Sequence, residues 1–207
     1  MGTRLRSTRT QRKDSGRSDA AAVRIAAVQM ASGPRVESNL KEAAWLIETA
    51  VEQGAKLVAL PEYFGIMGMK DTDKVEAREP FGAGPIQTFL AETAARHGIW
   101  LIGGTIPIDC GSSEKILNTS LVFDDAGKCV ARYDKIHLFR FNNGTESYDE
   151  ARVLQRGHQP AHFDLPSRDG HTWRIGLSIC FDVRFPALYQ QLAGMGAHLD
   201  RKSTRLN

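Results

Sequence analysis

The alternation of hydrophobic and polar positions predicts an α/β chain from residue 23 onward. Residues 23–30 are apolar on both sides of an extended chain, which is typical of a strand buried inside a sheet. Residues 39–53 carry apolar side chains at spacings of three and four and are followed by Gly54, so they predict an amphipathic helix. A second apolar run at 56–60 completes a strand–helix–strand order, which indicates α/β architecture.

The same pattern continues through the middle of the chain. Residues 85–97 predict a second helix, and residues 99–105 predict a third buried strand. Residues 118–123 and 129–134 predict a β-hairpin, so the sheet is expected to be mixed rather than purely parallel. Residues 140–161 carry turn signals and predict a loop.

The stretch 174–186, RIGLSICFDVRFP, joins a strand to a helix and places Cys180 at the joint. Pro186 suits the first turn of a helix, where its missing N–H costs nothing. The start of a helix offers free N–H groups and positive dipole character, which favour a thiolate. We therefore interpret Cys180 as a nucleophile on a strand-to-helix elbow. Taken alone, a cysteine after an apolar strand is more often a buried small hydrophobic residue.

Two further titratable residues follow predicted strands directly. Glu62 comes after the strand at 56–60, and Lys135 comes after the hairpin. Ligand sites of open α/β sheets gather beyond the carboxyl ends of the strands, so we expect both residues to lie near Cys180. Each has an alternative when considered alone, because Glu62 could be a solvated loop carboxylate and Lys135 an exposed lysine at the end of a hairpin.

A glutamate, a lysine and a cysteine at one site predict acyl transfer through a thioester. Glu62 can accept the proton of Cys180 and pass it to a leaving amine. Lys135 supplies positive charge where an oxyanion develops, beside the backbone N–H of Phe181. This chemistry needs neither a metal nor a cofactor.

Three sequence blocks resemble the signatures of the nitrilase superfamily, the carbon–nitrogen hydrolases. The blocks are residues 59–62, 133–139 and 179–186, and the resemblance covers roughly residues 23–199. It implies an α/β fold, an α-β-β-α sandwich with mixed sheets. It also implies a Glu-Lys-Cys triad, a small-molecule amide substrate and a homodimer or larger oligomer in the full-length form.

The resemblance adds a second glutamate, which orients the site near the lysine. We assign it to Glu150, and Glu146 is the other claimant in the same loop. The residues after the cysteine resemble the Nit branch of ω-amidases and deaminated-glutathione amidases, whereas true nitrilases tend to have Trp-Glu there. The resemblance therefore favours hydrolysis of a small carboxylate-bearing amide over nitrile hydrolysis.

The residues around Cys180 receive further roles from this branch. Phe181 is expected to contribute to substrate binding. Arg184 either binds a substrate carboxylate bidentately or forms a structural ion pair with Asp182 or another acid. We interpret Asp182 as structural and His137 as a packed, hydrogen-bonded histidine.

Composition limits the partners of the chain. The net charge of +3 arises from the basic N-terminal stretch, and the remainder is slightly acidic, so the folded part gives no nucleic-acid signal. No apolar run approaches the roughly 18 residues that span a bilayer, and no secretory signal is visible. Three widely spaced cysteines argue against a disulfide framework and a zinc site, and predict a reducing, cytoplasmic location.

The domain organisation follows from these patterns. Residues 1–22 predict a disordered basic leader, with a nucleic-acid or organelle-targeting arm as the alternative. Residues 23–199 form the hydrolase domain, which we expect to be incomplete at its C-terminus. Residues 200–207 are polar and aperiodic and predict a non-native tail, with a native short tail as the alternative. A truncated, non-catalytic interaction module is the competing function.

Overall fold

The computed structural model describes residues 23–203. The predicted leader at 1–22 and the last four residues of the predicted tail lie outside this range. No helix within it combines the length and the apolar character that a membrane span requires.

Twelve strands and four α-helices make up the described part of the chain. The strands are β1 (Ile25–Ala27), β2 (Leu57–Ala59), β3 (Trp100–Ile102), β4 (Ile106–Asp109), β5 (Ile116–Phe123), β6 (Cys129–Asp134), β7 (Arg140–Asn142), β8 (Ser147–Asp149), β9 (Leu154–Gln155), β10 (His162–Pro166), β11 (Thr172–Ile179) and β12 (Leu199–Ser203). The helices are α1 (Val36–Glu52), α2 (Asp73–Glu76), α3 (Pro85–His97) and α4 (Pro186–Gly194), with 3₁₀ helices at Glu150–Arg152 and Cys180–Arg184.

The strands form two large sheets and one small hairpin. The larger sheet has the order β1-β2-β3-β5-β4, and β6 and β9 also pair with β5. Strands β1, β2 and β3 run parallel, whereas β5 is antiparallel to β3, β4 and β6. The second sheet has the order β10-β11-β12, and β7 and β8 form a two-stranded sheet. The sheets are therefore mixed, as the sequence predicted.

Side-chain alternation along the strands sorts the core into two layers. On β2, Val58 joins a cluster with the helix residues Ile47 of α1 and Leu90 of α3. Its neighbours Leu57 and Ala59 join a second cluster that contains β10, β11 and α4. Because successive strand residues face opposite sides, α1 and α3 cover one face of the larger sheet and the second sheet covers the other.

Helix α4 closes the far side of the second sheet. A Cβ atom on Gly176 of β11 would lie 3.0 Å from Leu192 of α4, so the glycine lets the helix pack closely on the strand. Ser178, also on β11, accepts a hydrogen bond from the hydroxyl of Tyr189 on the same helix at 3.1 Å. The layers are thus helix, sheet, sheet, helix, which confirms the predicted α-β-β-α sandwich.

The structure differs from the sequence expectations at both ends of the described range. The first strand was expected to be buried, but β1 is an edge strand and Ile25 is 45% exposed. Strand β12 begins at Leu199 and pairs in parallel with β11, so regular structure continues four residues beyond the expected domain boundary. The boundary itself and the non-native origin of the tail stay predictions.

Candidate active site

Lys135 lies at the centre of a buried charged cluster just beyond the end of β6. Its side chain is 1% exposed, and Nζ lies 2.9 and 3.0 Å from the two carboxylate oxygens of Glu150 and 3.2 Å from Oε1 of Glu62. Burial disfavours the ammonium, but the charges of Glu62 and Glu150 outweigh burial and raise the pKa of Lys135 to about 12. Lys135 is therefore a permanent cation held between two carboxylates.

Backbone pairing fixes the position of Lys135. Its N–H donates to the carbonyl of Asn118 on the neighbouring strand β5 at 2.9 Å, and its own carbonyl accepts from Gly157 at 2.8 Å. A Cβ atom on Gly157 would lie 2.1 Å from the carbonyl oxygen of Asp134, so only glycine allows this approach. The lysine thus projects from a rigid backbone.

Glu62 follows β2 at the same edge of the sheet. Its Oε1 accepts a hydrogen bond from the buried side-chain amide of Asn118 at 2.8 Å as well as from Lys135. The next residue, Tyr63, has a φ of 55° and donates its N–H to the hydroxyl of Thr105 at 2.8 Å. The chain therefore turns sharply after Glu62 and holds its carboxylate against Lys135.

Glu150 opens the 3₁₀ helix that follows the β7–β8 hairpin. Besides contacting Lys135, its Oε2 accepts from the backbone N–H of Phe139 at 2.7 Å, and its own N–H donates to the Phe139 carbonyl at 2.9 Å. Of the two glutamates that the sequence offered, the structure places Glu150 beside Lys135, whereas Glu146 is exposed at the hairpin turn.

Cys180 begins the 3₁₀ helix that follows β11, and its thiol is hydrogen-bonded to the carboxylate of Glu62. Burial raises the pKa of the thiol, the charges of Glu62 and Glu150 raise it further, and the charge of Lys135 lowers it. The resting side chain is therefore a thiol. We expected a thiolate favoured by a helix start, but the 3₁₀ helix separates Cys180 from α4.

The backbone at Cys180 adopts a left-handed conformation with a φ of 45°. Such a conformation is uncommon for residues other than glycine and is found at strained elbows. The elbow that the sequence predicted is therefore present, and it lies at the start of the 3₁₀ helix.

Asp182 anchors this elbow from within the core. Its Oδ2 accepts from the hydroxyl of Tyr133 at 2.7 Å and from the backbone N–H of Ile179 at 2.9 Å. Its Oδ1 accepts from the backbone N–H of His137 at 3.0 Å and lies 2.7 Å from Nδ1 of that histidine. The His137 ring stacks on Phe185 with centroids 3.7 Å apart. Both residues thus have the structural contacts that the sequence interpretation expected.

The two substrate-binding candidates beside Cys180 have different surroundings. Phe181 is half-buried, and its ring packs edge-on against Phe139 at 5.1 Å and Phe185 at 5.3 Å. Arg184 is exposed, and within residues 23–203 it forms no ion pair, whether with Asp182 or with another acid. A role for either residue in substrate binding stays a prediction.

Sequence reasoning missed the side chains that support the cluster. Asn118 is fully buried and donates to Glu62. The signal that could have found it is a polar amide within a predicted strand, shortly before the apolar residues 121–123. The described residues contain no group of three or more histidine, cysteine or acidic side chains arranged to hold a metal ion.

Comparison with known proteins places the chain in a family. The family model for carbon-nitrogen hydrolase matches residues 24–204. The deaminated glutathione amidase of Synechocystis sp. is 38% identical over 175 residues, which cover 83% of this chain and 62% of that protein. The omega-amidase NIT2 of Homo sapiens is 35% identical over 178 residues, which cover 85% of this chain and 61% of that protein. The chain thus spans about three fifths of these relatives.

The chain is also similar to solved structures of the nitrilase superfamily. Nit3 of Saccharomyces cerevisiae, a member of the nitrilase superfamily, matches with a TM-score of 0.74 and 29% identity, covering 92% of this chain and 68% of that chain. An amidase from Nesterenkonia sp. matches with a TM-score of 0.71 and 26% identity, covering 90% of this chain and 66% of that chain.

Proposed function

Since the chain belongs to the carbon–nitrogen hydrolase family, we propose that it hydrolyses a small carboxylate-bearing amide through a thioester on Cys180. The observation that carries the proposal is the contact of the Cys180 thiol with Glu62, which itself contacts the buried ammonium of Lys135. The relatives named deaminated glutathione amidase and omega-amidase support an amide rather than a nitrile substrate.

In the first half-reaction, the sulfur of Cys180 attacks the amide carbonyl carbon while Glu62 accepts the thiol proton. The Lys135 ammonium and the backbone N–H of Phe181 stabilise the oxyanion. When the C–N bond breaks, Glu62 returns the proton to the leaving nitrogen, and ammonia departs. The acyl group then remains on Cys180 as a thioester.

In the second half-reaction, water attacks the thioester carbonyl and gives a proton to Glu62. The C–S bond breaks, the sulfur recovers the proton from Glu62, and the carboxylic acid departs. Glu62 thus acts as base and acid in turn, whereas Lys135 stays charged throughout. Glu150 helps to keep Lys135 charged and oriented.

The raised pKa of Cys180 supports this assignment of roles. A thiol that is protonated at rest needs a base at the moment of attack, and Glu62 is hydrogen-bonded to it. A solved amidase from Nesterenkonia sp. carries acrylamide added at its active site cysteine, which supports a nucleophilic role for the equivalent sulfur here. The homodimeric or larger assembly and the cytoplasmic location remain predictions.

The test is detection of an acyl group on Cys180. The chain is incubated with succinamate, and intact-mass spectrometry follows the adduct before and after hydroxylamine treatment. We expect an adduct that hydroxylamine removes and that is lost in Cys180→Ala. Cys110→Ala and Cys129→Ala are matched controls, because both cysteines are half-buried elsewhere in the fold, and they should retain the adduct.

Two results would count against the proposal. An adduct that persists in Cys180→Ala would assign the chemistry to another residue. A folded chain that forms no adduct with a panel of ω-amides, but binds a protein partner stoichiometrically, would favour the interaction module instead.

A further inference from the structure

The segment after Glu62 encloses a second ammonium group, that of Lys74 on α2. Lys74 is only 6% exposed. Its Nζ lies 3.6 Å from Oδ1 of Asp71, too far for a good hydrogen bond, and 4.5 Å from the centre of the Tyr63 ring. In the described part of the chain, Lys74 has no other ion pair or hydrogen bond. The protein itself thus only partly compensates this enclosed cation.

Tyr63 connects Lys74 with the candidate active site. It follows Glu62 directly, is 4% exposed, and its hydroxyl is buried without a hydrogen-bond partner among the described residues. Burial raises the pKa of this hydroxyl, and the nearby charges of Glu62 and Glu150 raise it further. Tyr63 is therefore a protonated donor within electrostatic reach of the two glutamates.

The charge balance of the site explains why a second cation is needed. Glu62 and Glu150 both contact Lys135, so two carboxylates share one ammonium. An anionic substrate that approaches this cluster meets net negative charge and is repelled unless another cation pairs with it. Lys74, unlike Lys135, retains free N–H donors.

We propose that Lys74 and the hydroxyl of Tyr63 bind the carboxylate of the substrate while its amide group reacts at Cys180. The inference rests on the proposed amidase function and names the residues that select the anionic substrate. A carboxylate accepts hydrogen bonds from both donors and supplies the negative charge that Asp71 supplies only in part. The exposed Arg184, the candidate from the sequence, lacks such an enclosed setting.

The test separates carboxylate binding from catalysis. In a Cys180→Ala background, calorimetry measures the affinity for succinamate and for butyramide, in which a methyl group replaces the carboxylate. We expect Lys74→Met to weaken succinamate binding by about 10- to 100-fold, as loss of a charge-assisted hydrogen bond implies, and to leave butyramide unaffected. Tyr63→Phe is expected to weaken succinamate binding by about tenfold.

Lys70→Met is the matched control, because Lys70 lies in the same segment but is exposed. It should leave both affinities unchanged and thus exclude a general effect of charge. Arg184→Met compares the two candidate carboxylate partners directly. A selective loss of succinamate binding in Arg184→Met, but not in Lys74→Met, would overturn the proposal.

An equal loss of succinamate and butyramide binding in Lys74→Met would show a structural role and would also overturn it. The experiments distinguish failure of the proposed amidase function from failure of the proposed carboxylate site. Absence of an acyl adduct on Cys180 in the unmodified chain contradicts the amidase function. A normal adduct together with an unchanged affinity ratio in Lys74→Met contradicts only the carboxylate site.

Discussion

Asp182 and Glu62 are both buried carboxylates, yet their hydrogen-bond partners differ. The two oxygens of Asp182 accept hydrogen bonds from the hydroxyl of Tyr133 and from two backbone N–H groups, and one of them also contacts Nδ1 of His137. Among the residues that the structure describes, Glu62 accepts hydrogen bonds from Asn118 and Lys135 on Oε1, and it also contacts the Cys180 thiol. A carboxylate saturated by donors of the fold is structural, whereas one that keeps an oxygen available can exchange a proton.

Glu62→Gln is expected to have the largest effect, because it removes the proton acceptor and keeps the shape of the side chain. Acyl-enzyme formation should slow by about 10²- to 10⁴-fold, the usual contribution of a general base. Stopped-flow or quenched-flow mass spectrometry measures the rate, and a thermal melt serves as the folding control. An unchanged acylation rate would contradict the role of Glu62 as the proton acceptor and thus its difference from Asp182.

Asp182→Asn tests the other side of the comparison. The amide cannot accept from all the donors that now converge on the carboxylate, so the free energy of unfolding should fall by about 2–4 kcal/mol. Urea unfolding followed by fluorescence measures the change. Asp164→Asn is the matched control, because Asp164 pairs with Arg174 at the surface. This substitution should lower the free energy of unfolding by a smaller amount. A loss in Asp182→Asn no larger than in the control would contradict the structural role.

Glu79 offers a third buried carboxylate that extends the comparison. It accepts from the backbone N–H groups of Ile86 at 2.6 Å and Gln87 at 3.1 Å, and from the side-chain amide of Gln87 at 3.0 Å. These donors lie in the first turn of α3, where Gly84 provides no capping side chain. Glu79 therefore replaces the missing cap and belongs with Asp182.

Glu79→Gln is expected to lower the free energy of unfolding by about 1–2 kcal/mol, because it removes a negative charge and an acceptor from a helix start. The acylation rate of Cys180 should stay unchanged, which separates this residue from Glu62. Urea unfolding and the adduct assay, applied to the same preparation, provide both readouts. Slower acylation at an unchanged free energy of unfolding would contradict the structural role of Glu79.

The smallest predicted effect concerns the reactivity of the thiol. Because the pKa of Cys180 is raised, its alkylation by iodoacetamide should continue to increase at pH values where an ordinary thiol has levelled off. Glu62→Gln removes a negative charge that disfavours the thiolate, so the inflection should move to lower pH. Lys135→Met removes a positive charge that favours it, so the inflection should move to higher pH.

Peptide mapping separates alkylation of Cys180 from that of Cys110 and Cys129. Glu62→Gln should thus react faster with iodoacetamide at a fixed mildly alkaline pH while forming the acyl-enzyme more slowly. Parallel losses in both assays would indicate that the substitution disturbs Cys180 itself.

The elements with a regular pattern were predictable from the sequence. The helix predicted at 85–97 matches α3, because Pro85 suits a first turn and Gly98 takes the left-handed conformation that ends the helix. Strands β4, β7, β8, β9, β10 and β12 were not predicted, and the prediction of a loop over residues 140–161 was wrong because β7, β8 and β9 lie within it. Strand β7 is exposed and three residues long, so it carries no burial pattern that periodicity can detect.

The gathering of the site residues was predictable from strand ends, but their electrostatics were not. The rule that ligand sites lie beyond the carboxyl ends of strands predicted that Glu62, Lys135 and Cys180 lie together. In the structure, Glu62 contacts both Lys135 and Cys180. The raised pKa of Cys180 depends on burial and on charges distant in sequence, which no local pattern reports. Tyr63 and Lys74 were missed for the same reason, since most lysines in polar segments are solvated.

The two hydrogen bonds between Phe139 and Glu150, one backbone to backbone and one from the Phe139 N–H to the Glu150 carboxylate, have a consequence for how the protein can vary. These two residues close the base of the β7–β8 hairpin, and Glu150 is also the partner of Lys135. Residues 140–149 therefore leave and rejoin the rest of the fold beside the carboxylate that contacts Lys135. A hairpin of another length, grafted between Phe139 and Glu150, is therefore expected to leave the contacts of Lys135 in place.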